Sequence, residues 1–270
     1  MRGHTGLAVL IVAGIYLLLI YLVGVAVFRA VRYRLSRTWW HGIRGGSDDQ
    51  GFAYGWSHFW RTIVGYLALG LMVPWSMTKL WNERWGAMSF GSLRFQGRAE
   101  WRNVFGRYLL FYFSPTIIFI LLFAIAAILG GIGAATGSFS GGPTSGGTIA
   151  AIIVGAVVLY LLFFVLLGLV AMTYYAAFFR EAAGSLSLGQ LRFGFTARTK
   201  DWVLLYLGNV GLTLATLGVG YIFVPYRNWA FFVAHAQAYG EVVLEDFTQS
   251  TTREPGQGEG LLDAFDVGAF

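Results

Sequence analysis

The stretch that decides the fold is "LALGLMVPWSMTKLWNERWGAM", residues 67–88. Fourteen uncharged, mostly apolar residues, 62–75, close on Pro74-Trp75, and Lys79, Trp81, Glu83, Arg84 and Trp85 follow within ten positions. An apolar core of about 14 residues is short for a full membrane crossing, which takes about 20, and falls in the range of segments that enter and return. Proline at 74 supplies a bend. Trp75, Trp81 and Trp85 with Lys79 and Arg84 suit a helix lying along a membrane surface, where indole rings sit half wet.

The rest of the chain favours a bilayer. Of 270 residues 57% are apolar and 12% charged, with a mean hydropathy of +0.63; soluble domains carry about 25% charge. From Tyr108 to Phe179 no Asp, Glu, Lys or Arg occurs in 72 residues, room for two spans. The expected spans are 6–28, 108–129 and 149–178. The run 6–28 is longer than a signal-peptide core and lacks a convincing cleavage site, so it reads as an uncleaved anchor. Between the second and third spans "GGIGAATGSFSGGPTSGGT", uncharged with eight glycines, reads as a flexible outer coil.

Charge sets the orientation. One arginine (Arg2) precedes the first span and five follow it: Arg29, Arg32, Arg34, Arg37 and Arg44. The positive-inside rule then places the N-terminus outside and the basic loops in the cytoplasm. Residues 1–225 hold 17 Lys/Arg against 6 Asp/Glu, whereas residues 226–270 hold 2 against 7. A basic body on a membrane protein points to anionic headgroups, with Arg32, Arg34, Arg37, Arg61, Lys79, Arg84, Trp75, Trp81 and Trp85 as candidates. Nucleic acid is the weaker reading, because these arginines flank apolar runs.

Both 29–50 and 76–107 are basic, yet the opening stretch lies between them. A single crossing there would export one basic loop. Residues 56–75 are therefore expected to enter and return; the alternative is a short distorted span. The run 202–226 ends on Pro225-Tyr226 as the earlier one ends on Pro74-Trp75, and it too can re-enter if it breaks at its glycines. The two regions, about 61–101 and 203–250, read as an internal repeat. Each has an apolar glycine-bearing run, a proline-aromatic corner, an amphipathic stretch and a β-like segment ("GSLRFQGRAEW", "GEVVLEDFTQS"). The expected fold class is an all-α polytopic membrane protein with interfacial helices and short β-like stretches. Residues 1–252 form the membrane domain and 253–270 an acidic tail.

Several blocks together resemble the YjgN-like family of bacterial inner-membrane proteins: "RYRLSRTWWHGIRGG" (32–46), "LGLMVPW" (69–75), "SLRFQGRAEW" (92–101), "LTLATLGVGYIFVPYRNWAFF" (212–232) and "GEGLLDAFDVGAF" (258–270). The resemblance spans most of the chain. It implies an inner-membrane location and brings no established activity.

Chemistry is sparse. With no cysteine there is no thiolate nucleophile or cysteine-bound metal, and the four histidines are scattered, so neither a metal nor a cofactor is expected. No G-x-x-x-x-G-K-[ST] motif occurs, and no serine, histidine or carboxylate constellation suggests an enzyme. The apolar runs contain no Asp or Glu, against a proton-coupled carrier. Tyr206, Asn209, Thr213 and Thr216 recur at helical spacing and stack on one face, either as interhelical hydrogen bonds or as a polar path. Leu261, Leu262, Phe265 and Phe270 of the tail are candidates for docking in a groove. The expected function is a membrane scaffold or accessory subunit that binds lipids, a membrane-protein partner or a second copy. A passive or facilitative small-solute transporter is the alternative.

Overall fold

The computed structural model describes residues 2–135, 146–241 and 248–256. The tail residues Leu261, Leu262, Phe265 and Phe270 lie outside them. The three apolar runs form α1 (Arg2–Ser36), α4 (Arg102–Ala135) and α5 (Gly146–Gly184), all longer than expected. The glycine-rich connection is partly helical, because α4 runs on to Ala135 and α5 starts at Gly146. Each of the three helices is long and apolar enough to cross a membrane, with 11%, 11% and 0% of its most apolar window buried. Such faces are unstable in water and need hydrocarbon or protein around them.

The all-α class is overturned by a seven-stranded antiparallel sheet in the order β1-β2-β3-β4-β5-β6-β7. The strands are β1 (Trp39–Trp40), β2 (Ile43–Gly46), β3 (Ser89–Phe90), β4 (Leu93–Gly97), β5 (Leu186–Leu188), β6 (Leu191–Phe195) and β7 (Ala236–Tyr239). Two-residue turns close three hairpins. His41-Gly42 has positive φ at both positions (50° and 76°), as a type I′ turn requires. Gly91-Ser92 and Gly189-Gln190 carry a left-handed glycine first, with φ 58° in each. The strands span only two to five residues, so no single one carries a strong sequence signal. Of the expected β-like segments, "GSLRFQGRAEW" contains β4, whereas most of "GEVVLEDFTQS" lies outside the described residues.

Helices fill the three remaining strand connections. α2 (Phe52–Leu67) and α3 (Val73–Gly86) join β2 to β3, α4 and α5 join β4 to β5, and α6 (Thr199–Ala215) and α7 (Val224–His235) join β6 to β7. Each helical pair therefore leaves from one strand and returns to its hydrogen-bonded neighbour. The register fixes this: Gly46 faces Ser89, Gly97 faces Leu186 and Phe195 faces Ala236.

Both helical corners are built alike. α2 is capped by Ala68, followed by left-handed Leu69 (φ 52°) and Gly70 (φ 86°); α6 is capped by Thr216, followed by left-handed Leu217 (φ 51°) and Gly218 (φ 97°). A leucine at positive φ is strained, and the glycine beside it closes the turn without that cost. Pro74 stands four residues after Gly70, but Pro225 stands seven after Gly218, and a 3-10 turn at Val219–Phe223 takes up the difference. Proline suits the first turn of the following helix because its missing N–H has no intrahelical partner there.

The chain divides into two compact units. The first holds residues 1–103, 179–196 and 236–270, hence α1, α2, α3 and the whole sheet. Strand alternation gives that sheet an apolar face (Phe90, Leu93, Phe95, Leu186, Leu188, Leu191, Phe193), while Arg94, Gln96, Ser187 and Arg192 take the alternate positions. The apolar face packs with Phe28 and Leu35 of α1, Tyr54 of α2 and Leu80 and Trp85 of α3. Near its middle α1 crosses α2 closely: a Cβ on Gly55 would stand 2.5 Å from Val25 Cγ2, and one on Gly24 would stand 2.6 Å from His58 Cβ. Residues 248–256 strap the sheet edge, where Gln249 donates to Gly42 O at 2.8 Å and the Arg44 guanidinium donates to Thr252 O.

The second unit holds residues 104–178 and 197–235. Tyr174 of α5 meets Tyr108 and Phe111 of α4 at 5.2 and 6.2 Å between ring centroids. Pro115 lies inside α4, where it cannot donate to Phe111 O four residues back; the Ser114 hydroxyl donates there instead, at 2.7 Å. Trp202 of α6 is buried edge-on to Phe231 and Phe232 of α7, at 5.1 and 5.5 Å.

Candidate functional site

The richest constellation sits in the sheet unit, where the α2–α3 hairpin and the end of α1 meet the apolar sheet face. The corner at Leu69-Gly70 turns the chain back so that α3 runs along α2. This brings Arg61 opposite Glu83: Arg61 Nη1 donates to Glu83 Oε2 at 2.7 Å, and Nη2 to Oε1. The Arg61 guanidinium also lies over Trp60 and Trp75, at 5.0 and 5.6 Å from the ring centroids. A desolvated cation gains from a ring face as well as from the carboxylate. Burial pushes the Glu83 carboxyl up, but hydrogen bonds from Arg61 and Ser57 and the charges of Arg61 and Lys79 outweigh it, leaving the group below its ordinary value.

The other candidates divide by exposure. Arg32 is 2% exposed and donates from Nη1 to Asp49 O at 3.1 Å. Arg84 is buried with its guanidinium 5.4 Å from the Trp81 ring, and burial lowers its pKa. Arg34 is half-buried in the last turn of α1, Arg37 is exposed with its guanidinium 5.4 Å from the Tyr33 ring, and Lys79 is exposed on α3. Trp75, Trp81 and Trp85 are half-buried; Trp85 packs on Phe95 at 5.1 Å and on Trp81 at 5.7 Å. These tryptophans are thus partners of arginines and of the sheet. Sequence reasoning missed Arg44, buried on β2 beneath the 248–256 strap, because its partners Gln249 and Thr252 lie more than two hundred residues away.

Pockets open on this unit. An apolar groove of about 450 Å³ runs over the sheet face, lined by Leu35, Thr38 and Trp40 on one side and by Trp85 and the β3–β6 side chains on the other. A polar pocket of about 360 Å³ lies near the strap, with Asp48, Asp49, Arg94 and Thr252 in its wall.

The polar stripe of Tyr206, Asn209, Thr213 and Thr216 belongs to the second unit. Tyr206 packs so closely on α5 that a Cβ on Gly168 would stand 2.3 Å from its hydroxyl oxygen. Asn209 accepts from Arg227 Nε at 2.8 Å and donates to Asn228 Oδ1 at 3.0 Å, tying α6 to α7. The hydroxyls of Thr213 and Thr216 donate back to their own helix, at Asn209 O and Leu212 O. A cleft of about 400 Å³ between α4 and α5 is lined by aliphatic and aromatic side chains, among them Phe119, Leu122, Tyr160 and Phe163. None of the four stripe residues lines it. Among the described residues no group of His, Cys, Asp and Glu is arranged to hold a metal.

Membrane-length helices joined through an antiparallel sheet with buried arginines define the class, a helical membrane protein with a β-sheet unit. The chain belongs to the family described as bacterial protein of unknown function (DUF898), whose model matches residues 3–264 and which is the YjgN family the sequence resembles. No curated protein and no solved structure matches it.

Proposed function

We propose that the protein is a scaffold or accessory subunit of the bacterial inner membrane, its sheet unit lying against the cytoplasmic face and binding anionic lipids and a membrane partner. The observation that carries this reading is the return of every helical pair to adjacent strands. With both ends of each pair on one sheet, the basic stretches around Gly45 and Gln96 share one side, and α1 alone carries its N-terminus across. The exposed cations of that unit, Arg37, Arg94, Arg98 and Arg192, support a cytoplasmic side through the positive-inside rule. A partner is favoured by the large apolar surface on α4 and α5 and by the α6–α7 corner, where Leu217, Ile222 and Tyr226 are at least two-thirds exposed.

A carrier gains less support. The stripe hydrogen-bonds within and between its own helices, and the cleft between α4 and α5 is lined by aliphatic and aromatic side chains. The deciding experiment is extraction in mild detergent followed by native mass measurement and solute-flux assays in proteoliposomes. The expected particle contains a stoichiometric second membrane protein or a second copy and passes no solute. A monomer that conducts small solutes would overturn the reading.

A further inference from the structure

We infer that the apolar groove on the sheet face is a lipid-binding slot that takes one acyl chain of an anionic phospholipid, with its phosphate held by Arg37 and Arg34. The proposal rests on the reading that the sheet unit lies on the membrane surface, and it names the ligand that this surface binds. The groove is about 450 Å³, within the range of small-molecule sites. Apart from the Thr38 hydroxyl its lining side chains are aliphatic or aromatic, including Leu35, Phe95, Leu188 and Phe193. Such a slot suits a hydrocarbon chain and offers little to a polar ligand.

Two observations select a membrane lipid over a protein segment. The first is continuity. One wall of the groove is Leu35 and Thr38, at the end of α1, whose apolar face from Leu7 to Val23 is exposed. A chain lying along that helix in the bilayer approaches the groove at the C-terminal end of α1, where Arg29, Tyr33 and Arg34 are half-buried beside its path. The second is charge. Arg34, in the last turn of α1, precedes the wall residue Leu35, Arg37, just past the helix end, precedes Thr38, and the rim tryptophan Trp40 is 40% exposed. Indole and guanidinium side by side match the level of the headgroups.

The test uses the full-length protein in nanodiscs with a phosphatidylglycerol carrying a diazirine on its acyl chain, and maps the photolabel by peptide mass analysis. Label is expected on β4 and β5–β6, around Phe95 and Leu188–Phe193, in competition with unlabelled phosphatidylglycerol but not with phosphatidylcholine. Leu191→Trp, which fills the groove, should lower that label about tenfold. Arg37→Glu should weaken the preference for phosphatidylglycerol about fivefold or more, since one basic residue near the surface contributes roughly 1 kcal/mol. Thr38→Trp fills the groove from the helix side and keeps the test available should Leu191→Trp fail to fold. Label confined to α1, α4 and α5, or label on the strands that neither filling variant reduces, would overturn the proposal. Thiol labelling of the same preparations reports which face the sheet occupies, so a sheet that faces the cytoplasm but takes no lipid sinks the groove alone.

Discussion

Arg61 and Glu83, 22 residues apart, form a two-point ion pair across the α2–α3 hairpin, with the arginine side chain 9% exposed and the glutamate 40%. Removing one partner of a fully buried pair costs about 3–5 kcal/mol because the other charge stays desolvated. Glu83 is partly solvated, so Glu83→Gln should cost less, about 1–3 kcal/mol, read as a lower melting temperature in detergent. The depressed carboxyl gives the pH dependence. Its contribution is complete above the unfolded value, about 4.3, and is lost as pH falls through the lower folded value. Wild-type stability should therefore drop below about pH 4, and Glu83→Gln should flatten that drop. A variant that melts like the wild type at pH 7 would show the pair to be inert.

The crossing of α1 and α2 makes a second demand. A methyl on Gly55 would meet Val25 Cγ2 at 2.5 Å, whereas Gly14, also in α1, has nothing within 4 Å. Gly55→Ala should cost about 1–3 kcal/mol by forcing the helices apart. Gly14→Ala should be neutral or stabilise by up to about 1 kcal/mol, through helix propensity. Equal melting shifts for the two variants would contradict the close approach.

Ser114 and Pro115 form a compensating pair. With no N–H at position 115, the Ser114 hydroxyl is the donor to Phe111 O, and a bare carbonyl is costly where water is scarce. Ser114→Ala should destabilise by roughly 1–2 kcal/mol. Adding Pro115→Ala should recover most of this, since alanine restores the backbone donor. Additive losses in the double-mutant cycle would remove the compensation.

The parts of the fold legible in the sequence are those with a long-range compositional signal. The charge-free run from Tyr108 to Phe179 could only be two apolar helices, and α4 and α5 lie there. The sheet was harder to see because its strands are two to five residues long and paired residues lie up to 93 positions apart, as Phe95 and Leu188 do. Its local signals were nonetheless present. "LSLGQLRFGF" alternates apolar and polar residues around Gly189-Gln190, and "WWHGIR" carries a turn that His41-Gly42 closes. Apolar runs on either side outweighed them.

The site was legible in residue type and not in placement. Arg61, Arg84, Trp75, Trp81 and Trp85 stood out as arginines and tryptophans beside an apolar run, which suggests groups facing lipid headgroups. Folding at Leu69-Gly70 instead sets Arg61 between Trp60, Trp75 and Glu83 and buries Arg84 beside Trp81. No periodic pattern links positions 61 and 83. The groove is formed by residues from 35 to 193, so it exists only once the sheet has assembled.

We propose that all the strands, and with them the basic stretches on both sides of the α2–α3 hairpin, lie on one face of the membrane. The chain has no cysteine, so single cysteines placed at the exposed positions Asp48, Gln96 and Gln190 can be probed with a membrane-impermeant maleimide in inverted and right-side-out vesicles. All three are expected to react in inverted vesicles and none in right-side-out ones. Reaction of Asp48→Cys and Gln96→Cys from opposite faces would contradict it.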